Sequence, residues 1–204
     1  MRTAHKIRHQ NGLNFLTCTT VGWIDIFSRA AFRDIILDSW RYCAKHKGLQ
    51  IWAYVIMTNH LHMIVNTKSP YKLSDVMRDF KAHTAREILA YLHDRNKVES
   101  RREWLLNLHK FFAYPKRHSQ DFQVWQNGSY PIELYSEKVT RQKLNYIHDN
   151  PVRAKLVSRP EEWLYSSASN YELGHGIYDV HLLWTPFDED GGWFFGNVPG
   201  VTLD

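Results

Sequence analysis

Residues 49–67 read LQIWAYVIMTNHLHMIVNT, and they predict the centre of the fold. It contains two nearly continuous apolar runs, residues 49–57 and 60–67, separated only by Thr58 and Asn59. Runs of this length, rich in β-branched and aromatic residues, predict strands, and so short a connection predicts that they pair antiparallel. Because side chains alternate along a strand, His60 and His62 share one face of the sheet.

Helices and two further strands are predicted outside this hairpin. Residues 14–22 are β-branched and aromatic and predict a first strand, and residues 122–125 predict another short one. Apolar side chains recur at helical spacing in three segments, residues 28–48, 74–94 and 136–149. This order of elements predicts an α+β fold with a central antiparallel sheet and helices on one face.

Two parts of the chain give a weaker pattern. Residues 96–120 are charged and then apolar, and they predict a mostly helical insertion. We expect one domain over residues 1–171, which includes this insertion, and a C-terminal extension over residues 172–204.

Composition excludes several classes of protein. The chain has 204 residues, of which 44% are hydrophobic and 14% aromatic, so it can bury a sizeable core. No apolar run approaches the ~20 residues of a membrane span, and the polar, basic start argues against a secretory signal. Two cysteines cannot form a disulfide framework, so we expect a cytoplasmic protein. The net charge of +5 permits nucleic-acid binding without requiring it.

The histidine pair is the first candidate site. Two imidazoles ~7 Å apart along one strand face can chelate a divalent cation. The alternative is a pair of polar residues at a strand edge. Apolar residues run on both sides of His60 and His62, which favours a mid-sheet position, where an unpaired polar group is costly.

Tyr146 and Asn150 form the second candidate site. Residues four apart on a helix share a face, so the phenol and the carboxamide can point to one place above the sheet. The alternative is a core tyrosine, with Asn150 capping a new helical turn that begins at Pro151. Spacing alone favours the second interpretation, the core tyrosine and the capping asparagine.

The motifs together resemble those of the HUH single-strand nucleases, which are named for a His-hydrophobic-His motif. Within that group the chain is similar to the single-tyrosine transposases of small insertion sequences and their REP-associated relatives. The resemblance covers about residues 14–171 and rests on four segments: AYVIMTNHLH (53–62), VWQ (124–126), YIHDNPVRA (146–154) and WLYSS (163–167). It implies a ferredoxin-like (RRM-like) fold.

The resemblance also implies a function. His60 and His62, completed by Asn150, would hold Mg²⁺ or Mn²⁺, and Tyr146 would cut hairpin-bearing single-stranded DNA through a 5′-phosphotyrosine. Such a transposase works as a monomer or homodimer, with no membrane partner, in the cytoplasm at the nucleoid. The chain departs from the family pattern at Thr58, where proline is usual, and at Lys155, where glycine is usual.

DNA-binding side chains are expected around this centre. Lys81 is the strongest candidate for a phosphate contact, and Gln126 falls in a family motif. A basic rim for the DNA backbone is expected from Lys116, Arg117 and Arg153. Two other functions remain open. One is a hairpin-binding relative that no longer cuts, which would need none of His60, His62, Tyr146 and Asn150. The other is a metal phosphohydrolase, which would not need Tyr146.

Overall fold

A four-stranded antiparallel sheet forms the centre of the protein. The computed structural model describes residues 6–116, 120–186 and 193–195. The sheet has the order β2-β3-β1-β4 and consists of β1 (Asn14–Thr19), β2 (Leu49–Ile56), β3 (His60–Thr67) and β4 (Ile132–Glu133). A separate hairpin consists of β5 (Trp184–Pro186) and β6 (Trp193–Phe195). The helices are α1 (Ala30–Lys47), α2 (Leu73–His93), α3 (Arg102–Ala113), α4 (Glu137–Arg153) and α5 (Ala168–Glu172).

The strand that carries the histidines lies in the interior of the sheet. β3 pairs antiparallel with β2 on one side and with β1 on the other. The register places Thr17 of β1 opposite His62 and Thr19 opposite His60. A bulge in β2 between Ile51 and Ala53 interrupts the pairing with β3. The predicted antiparallel hairpin is confirmed.

Helices cover both faces of this sheet. Leu61 and Met63 point into the core beneath α1 and α2, whereas Ile64 points to the face that α4 covers with Leu144 and Ile147. The predicted α+β class and antiparallel sheet are therefore confirmed, but the placement of helices on one face only is wrong. The physical reason is that β2 and β3 are apolar on both sides, and each side must be covered.

The strand predicted over residues 122–125 does not form. Trp125 makes only an isolated bridge with Thr20. The amide of Gln123 donates to the carbonyl oxygen of His109 in α3, so this segment bonds to the insertion as well as to the end of β1. The fourth strand is instead β4, which pairs with the start of β1.

Helix α4 continues past its predicted end at residue 149. Ser136 caps it as expected, since its side chain accepts a hydrogen bond from the amide of Val139. Asn150 does not cap a second helix, because Pro151 lies inside the same helix. Tyr146 and Asn150 therefore belong to one uninterrupted helix.

The insertion and the tail both pack against the domain. Phe112 and Leu105 of α3 contact the core that lies beneath α1 and α2. In the tail, Tyr178 joins that same core, and Leu183 and Trp184 join the core beneath α4. The domain boundary at residue 171 stays a prediction.

Candidate active site

The histidine strand and helix α4 meet at one pocket. The ring of Tyr146 lies 5.1 Å from that of His62, centroid to centroid, and the His60 and His62 rings are 4.8 Å apart. The pocket has a volume of about 530 Å³ and is lined by Thr17, Trp23, His60, His62, Tyr146, Asn150, Arg153 and Ala154. The four residues predicted to form the centre are thus brought together, while their roles stay predictions.

Hydrogen bonds fix the orientation of both imidazoles. Nδ1 of His60 donates to Oδ1 of Asn59 at 2.7 Å. Nδ1 of His62 lies 2.8 Å from the hydroxyl of Thr17, the residue opposite it on β1. These contacts leave the Nε2 atom of each ring for another partner, and Nε2 of His62 is buried without any hydrogen bond.

Burial keeps both histidines neutral near pH 7. It lowers the pKa of His60. Burial, with smaller contributions from His60 and the Lys143 ammonium, lowers the pKa of His62 to about 3. A neutral imidazole has a free lone pair on one ring nitrogen, and this is the form that binds a metal ion.

The residues present fit a divalent cation. An orphaned, buried Nε2 is costly unless something binds it, and a metal ion accepts such a lone pair. In residues 6–116, 120–186 and 193–195 no group of three His, Cys, Asp or Glu side chains is arranged for a metal. Asn150, which has an amide oxygen, lines the same pocket and remains the candidate third protein ligand that the resemblance implies. Two imidazoles and one neutral oxygen leave positions open for phosphate and water.

Two cations lie against the ring of Tyr146. The guanidinium carbon of Arg153 is 5.5 Å from the ring centroid, and the Lys143 ammonium is 5.8 Å from it. Arg153 was predicted in the basic rim, but sequence reasoning missed Lys143. Its position three residues before Tyr146, hence on the same face of α4, was the available signal.

The other predicted DNA-binding residues lie elsewhere. Lys81 and Gln126 line a second pocket, of about 710 Å³, between α2 and residues 120–131. The Lys81 ammonium donates to the carbonyl oxygens of Gln126 at 2.5 Å and Gly128 at 2.7 Å, so it also holds this loop. Nothing is described of the side chain of Lys116, and Arg117 lies outside the described residues.

Comparisons with known proteins relate part of the chain to one family and its fold to a solved structure. Residues 25–113 match the family described as "Transposase IS200 like", a range that includes both histidines and ends before Tyr146. A solved REP-associated tyrosine transposase bound to a REP hairpin is 17% identical, with a TM-score of 0.55, and the match covers 94% of this chain and 97% of that one. A presumed transposase from Deinococcus radiodurans R1 is 16% identical over 73% of this chain and 97% of that one, with a TM-score of 0.42. No curated protein matches the chain.

These findings define the class of fold. The chain shares its α+β fold with the REP-associated tyrosine transposase. The resemblance to IS200-like transposases that the motifs indicated is confirmed over residues 25–113. None of the described helices is both long and apolar enough to cross a membrane.

Proposed function

We propose that this protein is a metal-dependent transposase that cuts hairpin-bearing single-stranded DNA with a tyrosine nucleophile and joins it to another strand. One observation carries the proposal. His60 and His62 from the sheet and Tyr146 and Asn150 from α4 line a single pocket, although more than 80 residues separate the two pairs along the chain. A domain that only bound hairpins would not need this combination.

Tyr146 is the proposed nucleophile. A bond forms between its phenol oxygen and the scissile phosphorus, and the bond from phosphorus to the 3′-oxygen breaks. The phenol gives up its proton and the 3′-oxygen gains one, which leaves a 5′-phosphotyrosine and a free 3′-hydroxyl. Because the phosphodiester energy is retained, a second 3′-hydroxyl can reverse the step and join a different strand.

The remaining residues position and neutralise the phosphate. Bound by His60, His62 and Asn150, Mg²⁺ or Mn²⁺ would polarise a phosphate oxygen. Lys143 and Arg153 place positive charge beside the Tyr146 ring, where a phosphate must lie to meet the phenol oxygen. The continuous helix α4 fixes the spacing of Tyr146 and Asn150.

The proposed substrate follows from geometry and charge. A flexible strand lets the phenol approach in line with the leaving oxygen more readily than a stacked duplex does. The net charge of +5 favours binding to a polyanion, and affinity should fall as salt rises. The REP-associated tyrosine transposase that shares this fold was solved bound to a REP hairpin, and we extend this ligand class to the present chain. The expectations of a monomer or homodimer and of a cytoplasmic, nucleoid-associated protein are unchanged.

The test uses hairpin DNA labelled on the 3′ side of the scissile bond. The protein is incubated with it and Mn²⁺, and the products are separated on a denaturing gel. Wild type should give label that migrates with protein, Tyr146→Phe should give none, and Tyr42→Phe, exposed on α1, should behave as wild type. Hairpin binding with no cleavage would indicate the non-cutting role, and cleavage without adduct would indicate a phosphohydrolase.

A further inference from the structure

Trp23 is a large aromatic residue at the mouth of the candidate active site. It lines the same pocket as His60, His62 and Tyr146, and its ring centroid lies 5.9 Å from that of His60 at an interplanar angle of 72°. The side chain nevertheless remains 60% exposed. An indole packed against one ring and otherwise open to solvent has a free surface on which another flat group can stack.

The backbone at Trp23 is strained. Residues 21–24 form a tight turn closed by the amide of Ile24, which donates to the carbonyl oxygen of Val21 at 3.2 Å. Both central residues have positive φ, 57° at Gly22 and 56° at Trp23. Turns of this kind favour Gly, Asn or Asp at both positions, and a bulky residue in this region is an outlier. Trp23 therefore stays in an unfavourable conformation, and such outliers concentrate where a site needs them.

Helix α3 of the insertion packs against this turn. A Cβ atom added to Gly22 would lie 2.2 Å from the ring of Phe112 in α3, so the ring packs directly on the turn. Any larger side chain at Gly22 would displace the Phe112 ring, so α3 and the turn are packed closely together.

An ion-pair network centred on the buried Glu99 carboxylate contacts the chain just after the turn. Arg101 contacts both Asp25, at 3.3 Å, and Glu99, at 3.2 Å. The Glu99 side chain is fully buried and also pairs with Arg29 at 2.8 Å. The insertion thus holds the Trp23 turn at two points.

We infer that Trp23 is a stacking platform for an unpaired base of the DNA strand in the active site. This inference rests on the proposed function of the same pocket. Stacking on an aromatic ring tolerates any base, because every base has a π-face. It requires that the face of the base is not already covered by a neighbouring base. Trp23 would therefore select single-stranded over duplex DNA next to the scissile phosphate and would hold that phosphate near Tyr146.

The experiment separates stacking from cutting. Binding is measured in a Tyr146→Phe background. A series of hairpin DNAs is used, each with 2-aminopurine at a different unpaired position next to the scissile phosphate. Trp23→Gly removes the ring and relaxes the turn, Trp23→Phe keeps an aromatic face, and Trp104→Ala, 51% exposed on α3, is the matched control. Thermal midpoints of all variants are recorded without DNA.

A stacking role predicts opposite changes in affinity and stability. Trp23→Gly should bind the flanked hairpin about ten-fold more weakly and lose the 2-aminopurine signal at one position, while its thermal midpoint is equal or higher. Trp23→Phe should stay within about three-fold of the parent, and Trp104→Ala should match it. Unchanged affinity in Trp23→Gly, or equal losses in Trp23→Gly and Trp23→Phe, would overturn the inference and leave the adduct test of Tyr146 unaffected. A Tyr146→Phe parent that does not bind the hairpin, together with a wild-type protein that forms no adduct, would overturn both proposals.

Discussion

His62 combines burial, a fixed orientation and an unused nitrogen. Only 5% of the residue is exposed, its Nδ1 is held by Thr17, and its Nε2 has no hydrogen-bond partner. Nε2 of the buried His109 also has no partner, so what distinguishes His62 is that it lines the same pocket as His60, Tyr146 and Asn150. The arrangement is the one that a metal-ligating histidine requires, with a second group orienting the ring.

Removing either imidazole should separate cutting from binding. His62→Ala or His60→Ala is expected to abolish divalent-cation-dependent cleavage and to leave hairpin affinity within about three-fold, because affinity rests on phosphate and base contacts. Asn150→Ala should be milder, since water can replace a neutral ligand. Gel cleavage and fluorescence anisotropy give the two readings, with His46→Ala on α1 as the control. Wild-type cleavage in His60→Ala/His62→Ala would rule out the metal assignment.

The Thr17 hydroxyl should act through His62. Thr17→Val keeps the shape of the side chain and removes its hydrogen bond to Nδ1. We expect Mn²⁺ affinity, measured by calorimetry, to fall about 10- to 100-fold. Thr140→Val removes a buried hydroxyl that bonds only within its own helix, and it should leave Mn²⁺ affinity unchanged. Equal affinity in Thr17→Val and wild type would show that this contact does not orient the ligand.

Strand β3 and helix α4 were predictable because each carries a regular apolar pattern. Period-two alternation places His60 and His62 on one face of strand β3. Helical spacing places Tyr146 and Asn150 on one face of helix α4. Neither pattern reveals which faces meet, and the meeting of these two followed only from the family resemblance. The coverage of both sheet faces could have been inferred from the continuous apolar character of β2.

Loops and single side chains were harder to predict. The strand expected at residues 122–125 failed because backbone bonds to α3 compete with the sheet, and these are long-range contacts. Trp23 gave no signal, since a tryptophan beside a glycine does not reveal a positive φ. Lys81 was expected to bind a phosphate near the catalytic centre, but its helix covers the opposite face of the sheet.

The contact between α3 and the Gly22 turn can be measured with glycine variants. Gly22→Ala introduces strain at positive φ and also a clash with Phe112, whereas Gly174→Ala introduces strain alone, because nothing lies within 4 Å. We expect Gly174→Ala to cost about 1 kcal/mol of unfolding free energy and Gly22→Ala about 1–3 kcal/mol more. Urea denaturation gives both values. Equal costs would mean that α3 does not pack on the turn in solution.

The folded protein should lose stability in mild acid. His109 of α3 is fully buried, and its Nδ1 donates to the carbonyl oxygen of Gln123 at 2.9 Å. Burial lowers the pKa of His109. The unfolded chain therefore takes up a proton below about pH 6.5 that the folded state resists, so stability is full above that pH and falls as pH drops.

The measurement is urea denaturation between pH 7.5 and pH 5, a range over which a normal histidine changes its charge. His109→Gln keeps a donor for the Gln123 carbonyl and cannot titrate, so its stability should fall less between the two pH values than that of wild type. His175→Gln, an exposed position in the tail, is the control. A wild-type pH dependence in His109→Gln would assign the acid sensitivity to other groups.

The proposed reaction forms a covalent bond between DNA and Tyr146 in the pocket between β3 and α4. The most direct measurement is peptide mapping by mass spectrometry after incubation with hairpin DNA and Mn²⁺, denaturation, and digestion with nuclease and protease. We expect a phosphonucleotide mass on the peptide that contains Tyr146, and we expect it to be absent when Mn²⁺ is omitted and absent from His62→Ala. A nucleotide on any of the other tyrosines, or cleaved DNA with no modified peptide, would contradict it.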